Sequence, residues 1–317
     1  MILIDTQKEE FSKLRDIRVF GRISHDDRFN GNLLVIGLGG IGSRTVCNLK
    51  GMMVDDITPE DNIHFLMVDS DIPEMEQTIE DSKEHIGFNA LEVLSIYRPN
   101  IENILADGIK KNPVHPNLAN WMDADFPDVT VTKDGAHGNR QIGRLMFSNA
   151  YEDIRMLLFD RLEEIHDKAN GNWMDVIIVS SLSGGTGSGI LSDLAYNIRA
   201  YGKAKKWANL RIGGCLLMPD VIFGNKSVTQ DPELMFRMMA NGCAALKEVD
   251  YYMKLSEKDD NYTFISKSNK MVIRENLFDA CMLVSGRKDE QGYIPEGYIT
   301  RDTASFLYRL ASNKFIG

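Results

Sequence analysis

Twice in this chain an apolar run of strand length breaks into a glycine-rich turn and then into a helical pattern, and few folds accommodate that arrangement twice. The run Asn32-Leu33-Leu34-Val35-Ile36 leads into Gly37-Leu38-Gly39-Gly40-Ile41-Gly42-Ser43. The run Met174 to Ser181 leads, one residue further on, into Ser183-Gly184-Gly185-Thr186-Gly187-Ser188-Gly189. Glycines between a strand and a helix let the backbone turn tightly. They also bring bare amides and the positive end of the helix dipole onto an anion.

Around these two turns the same strand, turn, helix rhythm repeats. Apolar runs fall at 32–36, 64–69, 174–180, 210–218 and 280–285, mostly without polar alternation, as expected when both faces of a parallel sheet are covered. Helical periodicity fills 44–53, 141–166, 189–201, 232–255 and 299–315. The expected fold is α/β, a three-layer sandwich with a mainly parallel, Rossmann-like sheet and right-handed crossovers, with residues 1–317 forming one domain. Two stretches interrupt the rhythm and read as insertions: 83–127, rich in Pro and Asn, and the polar 255–276, a hairpin or loop excursion. Loop tolerance is the simpler account of both, and a partner site the alternative.

Taken alone, the first loop suits three classes: an NAD(P) oxidoreductase, an adenylating enzyme of the ubiquitin-activating type, and a tubulin-like nucleotide binder. In each of them an acid after the second strand, at Asp69-Ser70-Asp71, could take a ribose hydroxyl. The second loop discriminates. Four glycines in seven positions with hydroxyls between them make a second phosphate cradle, and no Lys stands where a Walker loop needs one. A dinucleotide enzyme has no use for this second cradle, whereas a triphosphate clasped from two sides does. The net charge of −10 opposes a nucleic-acid or anionic-lipid partner. Four widely spaced cysteines offer no zinc half-site, and six histidines show no metal-ligand spacing. With no long apolar stretch, the expectation is a cytoplasmic protein without direct membrane insertion. The acidic cluster from Glu74 to Glu84 reads as a solvated helix face.

The second loop, SGGTGSG, resembles the GGGTGSG-type signature of the tubulin/FtsZ superfamily. Gly135-Ala136-His137-Gly138-Asn139-Arg140-Gln141-Ile142-Gly143-Arg144 is similar to the γ-phosphate loop and helix start of its bacterial members. The order also resembles the family's: phosphate loop, acid, γ-phosphate loop, signature loop, and a strand ending in Met218-Pro219-Asp220. The segments Asn241 to Glu248 and Leu277 to Ser285 are similar to its next helix and strand.

This resemblance implies a GTP/GDP and Mg²⁺ site. Amides of Gly39, Gly40, Ile41 and Gly42 would contact the α- and β-phosphates, with Gly37, Ser43 and Arg44 also in the nucleotide site. Gly184, Gly185, Thr186 and Gly187 would wrap the β-phosphate from the other side, with Ser183 and Ser188 also in the nucleotide site. Asp69 and Asp71 would sit near the phosphates and the metal, which the phosphates themselves would hold. Ala136, His137, Gly138 and Asn139 would sense the γ-phosphate, and Asp220 the ribose. Tyr298 and Asp302, four apart on one helix face, would stack on the base and accept guanine's ring NH and exocyclic amine. Arg44 stands where bacterial members commonly have Asn, and His137 replaces a loop Gly.

The family's water-activating acidic residue and C-terminal domain follow the central helix, and the sequence given stops at Gly317 before them. Its catalytic residues are therefore left unassigned. A GTPase that assembles head to tail with nucleotide between subunits is the first expectation. A non-hydrolysing switch acting on a partner or an effector region is the second, and an NAD- or ATP-using Rossmann enzyme the third.

Overall fold

A computed structural model of the chain describes residues 2–3, 32–54, 62–82, 87–101, 104, 121–122, 133–266, 270–289 and 292–311. Seven strands form one sheet: β1 (Ile2–Leu3), β2 (Asn32–Leu38), β3 (Ile63–Asp69), β4 (Val93–Ser95), β5 (Met174–Ser181), β6 (Leu210–Leu217) and β9 (Ala280–Ser285). Their order is β1-β9-β6-β5-β2-β3-β4, and every pairing is parallel. Among the described residues, six helices of more than two turns surround it: α1 (Gly39–Val54), α2 (Ile72–Ser82), α3 (Arg140–Ala169), α4 (Thr186–Ala204), α5 (Pro232–Tyr252) and α6 (Glu296–Ala311). Two antiparallel hairpins, β7 (Tyr262–Ile265) with β8 (Lys270–Ile273) and β10 (Arg287–Asp289) with β11 (Gly292–Tyr293), lie outside the sheet.

The unalternated apolar strands follow from the layering. Successive residues of β2 point to opposite faces, and both faces are covered. Leu33 and Val35 pack with Val46 and Leu49 of α1 and Leu307 of α6. Leu34 and Ile36 pack with Leu145 of α3, Leu191 of α4 and Val249 of α5. The result is a three-layer α/β sandwich with α1, α2 and α6 on one side and α3, α4 and α5 on the other. Residues 255–276 contribute the β7–β8 hairpin, which lies against α3, with the Phe264 ring 4.8 Å from that of Tyr151. This cover explains why α3 is buried nearly all round from Ile142 to Tyr151 and then narrows to the buried stripe Ile154, Leu158, Leu162, Ile165. Of the expected insertion at 83–127, most lies outside the described residues.

The chain leaves β2 through α1 towards β3, then returns to the other side of β2 to lay down β5, which it leaves through α4 towards β6. The helices that follow these neighbouring strands therefore diverge onto opposite faces. The carboxyl ends of β2 and β5 meet side by side, Leu38 beside Ser180, at a topological switch point.

Candidate functional site

Both helices that open at this point begin inside the glycine loops. α1 starts at Gly39 and has no acid in its first turn. α4 starts at Thr186 with Gly185 as its cap residue, without a side-chain cap hydrogen bond and again without an acid in the first turn. The first-turn amides of a helix have no intrahelical acceptor. Two such uncapped starts, leaving adjacent strands, aim their dipoles at one place. Gly39 holds φ +68°, and a side chain there would lie 3.1 Å from the Gly187 amide, so the loops touch backbone to backbone.

The segment 135–139 forms a third wall. Gly135, His137 and Gly138 all have positive φ (92°, 46° and 71°), so the His that replaces glycine here keeps a glycine-like backbone. Asn139 ends the loop by capping α3, its side chain accepting from the Gln141 and Ile142 amides. The wall is fixed to its surroundings by specific contacts. Asp71 and Asp134 form an isolated bridge, and the Ile72 amide donates to the Lys133 carbonyl at 2.9 Å. Ser70 and Thr186 share a hydroxyl hydrogen bond of 2.5 Å between β3 and the second loop.

Together these segments enclose a cavity of about 310 Å³. Of the residues singled out from sequence, Gly39, Gly40, Ile41, Arg44, Asp69, Asp71, Ala136, His137, Gly138, Gly184, Gly185, Thr186 and Gly187 line it. The others take different places. Gly37 and Gly42 pack on each other within the turn. Ser43, Ser183 and Ser188 are buried, with side-chain oxygens that lack a partner among the described residues. Asp220 accepts from the Ser285 hydroxyl and the Gly286 amide. Tyr298 is 61% exposed, and neither it nor Asp302 is part of the lining.

The wall is acidic. Asp69, Asp71, Glu74, Asp134 and Glu296 line it, and Arg44 is the only Lys or Arg among the described lining residues. Its guanidinium is paired with both Glu74 and Glu296, lacing α1 to the first turns of α2 and α6. The Glu74 carboxylate lies where a side chain on Gly40 would point. Asp69 is 2% exposed, and its Oδ1 accepts from the Ser70 and Asp71 amides at 2.7 and 3.2 Å, while Oδ2 has no partner among the described residues. Burial pushes its carboxyl up to about 7.

A family model described as "Tubulin like" matches residues 34–314, which spans all three phosphate-loop candidates. The chain belongs to this tubulin-like family. No curated protein sequence matches it. Among solved structures, CetZ from Methanosaeta thermophila strain DSM 6194 is similar at 16% identity and TM-score 0.48, over 89% of this chain and 54% of that one. CetZ2 from Haloferax volcanii, a GTPγS-bound protofilament, is similar at 14% identity and TM-score 0.48, over 90% and 60%. TubZ from Bacillus thuringiensis serovar israelensis, a GTPγS-form protofilament, follows at 13% and 0.40, over 95% and 60%. The chain thus spans little more than half the length of these structures.

In the tubulin-like chain several lining residues had gone unrecognised, chiefly Glu74, Asp134, Glu296 and the apolar Ile222, Val228 and Met238. Glu74 had a legible signal. It stands three residues after Asp71, whose carboxylate accepts the Glu74 amide at 2.8 Å, a helix-start spacing that places both on the cavity side. No such spacing marks Glu296 or Met238. Among the described residues no group of three or more His, Cys, Asp or Glu is placed to hold a metal ion, and no helix is long and apolar enough to cross a membrane.

Proposed function

We propose that this tubulin-like chain binds GTP together with a divalent cation, and that it self-associates head to tail with the nucleotide between neighbouring subunits. The observation that carries this is the convergence of two uncapped, acid-free helix starts from adjacent strands on one cavity. One such start suits a dinucleotide; two facing each other suit a chain of phosphates. Amides of Gly39 to Gly42 would take the α- and β-phosphates, Gly184 to Gly187 the β-phosphate from the far side, and Ala136 to Asn139 the γ-phosphate.

Space and charge support the same assignment. A side chain on Gly184 would meet nothing within 4 Å, so the second loop leaves room beside it. Five carboxylates face a cavity whose lone lining guanidinium is already paired, so a triphosphate could enter only with a cation beside it. The unpartnered Oδ2 of Asp69, with Asp71 nearby, supplies hard oxygen of the kind Mg²⁺ accepts, with the phosphates as its remaining ligands. The cation would neutralise phosphate charge. We assign the base to the start of α6, where Glu296 lines the cavity and Tyr298 and Asp302 present exposed side chains to a ligand or a neighbouring subunit. Family membership supports self-association, and a head-to-tail contact of this kind generates open filaments.

The test is to denature the purified protein and identify the released nucleotide, then to titrate GTP, ATP and NAD into emptied protein with and without Mg²⁺ while following sedimentation. Selective guanine binding with nucleotide-dependent sedimentation is expected. Binding of ATP or NAD alone would overturn the nucleotide assignment. Selective GTP binding by a chain that stays monomeric would favour the switch acting on a partner.

A further inference from the structure

The second and third loops meet as bare backbone. A side chain on Gly185 would fall 2.6 Å from the Asn139 amide and 2.9 Å from the Ala136 Cβ, so the two walls are in close contact there. The join comes from a third element. On α5, the Asn241 side-chain amide donates to the Gly138 carbonyl at 2.7 Å and to the Ser183 carbonyl at 2.8 Å. A carboxamide has two N–H donors, and both loops draw on this one nitrogen. One turn earlier, Arg237 reaches the His137 carbonyl at 3.4 Å, and Met238 between them lines the cavity. Helix α5 packs closely on the segment before it. Gly242 abuts the Pro219 ring, and Asp231 caps the helix start by accepting from the Glu233 and Leu234 amides.

We propose that Asn241 is a positioning residue that ties the 135–139 loop to the second glycine loop, so that the two close on a terminal phosphate as one unit. The proposal rests on the nucleotide site assigned above. In that site the second glycine loop faces the β-phosphate and residues 136–139 the phosphate beyond it. A ligand that reaches both loops gains from their being joined, and a ligand that ends at the β-phosphate meets only one. The side chain itself touches no phosphate, since it is occupied by the two carbonyls.

The test compares GTPγS and GDP binding, with Mg²⁺, in the wild type and in Asn241→Leu, which keeps the side chain's bulk and removes both donors. GTPγS affinity should fall about tenfold, the scale of one lost buried hydrogen bond, while GDP affinity changes less than about threefold. Asn241→Gln, which retains both donors, should restore most of the GTPγS affinity. Equal losses for the two nucleotides would show a merely structural role and overturn the proposal, as would no loss for either. If Asn241→Leu does not fold, amide exchange on the wild type decides. Residues 138–139 and 183–185 should gain protection at the same GTPγS concentration, and protection confined to one loop overturns the coupling. A wild type that binds neither nucleotide overturns the proposed function and this inference with it.

Discussion

Gly184 differs from the glycines around it in what a side chain there would meet. A side chain on Gly187 would fall 2.6 Å from the Leu38 carbonyl and the Ser180 hydroxyl, and one on Gly185 would fall on the 135–139 loop, so alanine at either position must push backbone aside. Gly185→Ala and Gly187→Ala should each cost roughly 1–3 kcal/mol of stability, read by chemical denaturation, and are poor probes of binding alone. At Gly184 the space is open, so Gly184→Val should leave the denaturation midpoint nearly unchanged and cut nucleotide affinity by about tenfold or more, read by calorimetry. Asp69 offers a pH signature. Its carboxyl ionises near 7 in the fold and near 3.8 in the unfolded chain, so between those values only the folded state keeps the proton. Stability should be greatest at low pH with respect to this group, fall as pH rises from 4 to 7, and level off above. Asp69→Asn should flatten that fall, which is on the order of 4 kcal/mol, in denaturation curves taken across the range.

Elements were far more legible than the contacts between them. The five apolar runs became strands and the helical periodicities became helices because period and glycine placement are local properties. Both glycine loops and the Asp69 turn were readable for the same reason. The Arg44 clasp joins residues 252 positions apart, and Asn241 reaches loops 58 and 103 positions away, so neither has a sequence period to announce it. Glu74 looked like one more charge on a solvated helix until α2 was seen to begin beside Gly40. That clasp makes a prediction at the level of three helices. Glu74→Gln keeps the shape and removes a negative charge beside the first loop, so triphosphate affinity should rise, by about threefold to tenfold at low salt, with the gain shrinking at high salt. An unchanged affinity in equilibrium binding would mean that the carboxylate does not compete with phosphate.

At the scale of the whole molecule, a net charge of −10 and an acidic cavity wall act in the same direction against an anionic ligand. Removing divalent cations with a chelator should therefore weaken GTP binding by about tenfold or more, and raising monovalent salt should replace only part of the loss. Titration calorimetry in both buffers would check this. Helix α3 adds a mechanical consequence. Its thirty residues, Arg140–Ala169, run from the Asn139 cap at the carboxyl end of the sheet to the Asn170 cap, four residues before β5 begins at the opposite end. A helix of that length spans about 45 Å and does not compress along its axis. Its far end is tied down, with the Asn32 side-chain amide donating to the Ile165 carbonyl and His166 sharing a hydrogen bond with Asn209. An axial displacement of the loop at Asn139 would therefore load those two contacts, and the helix would act as a pushrod between the two ends of the sheet.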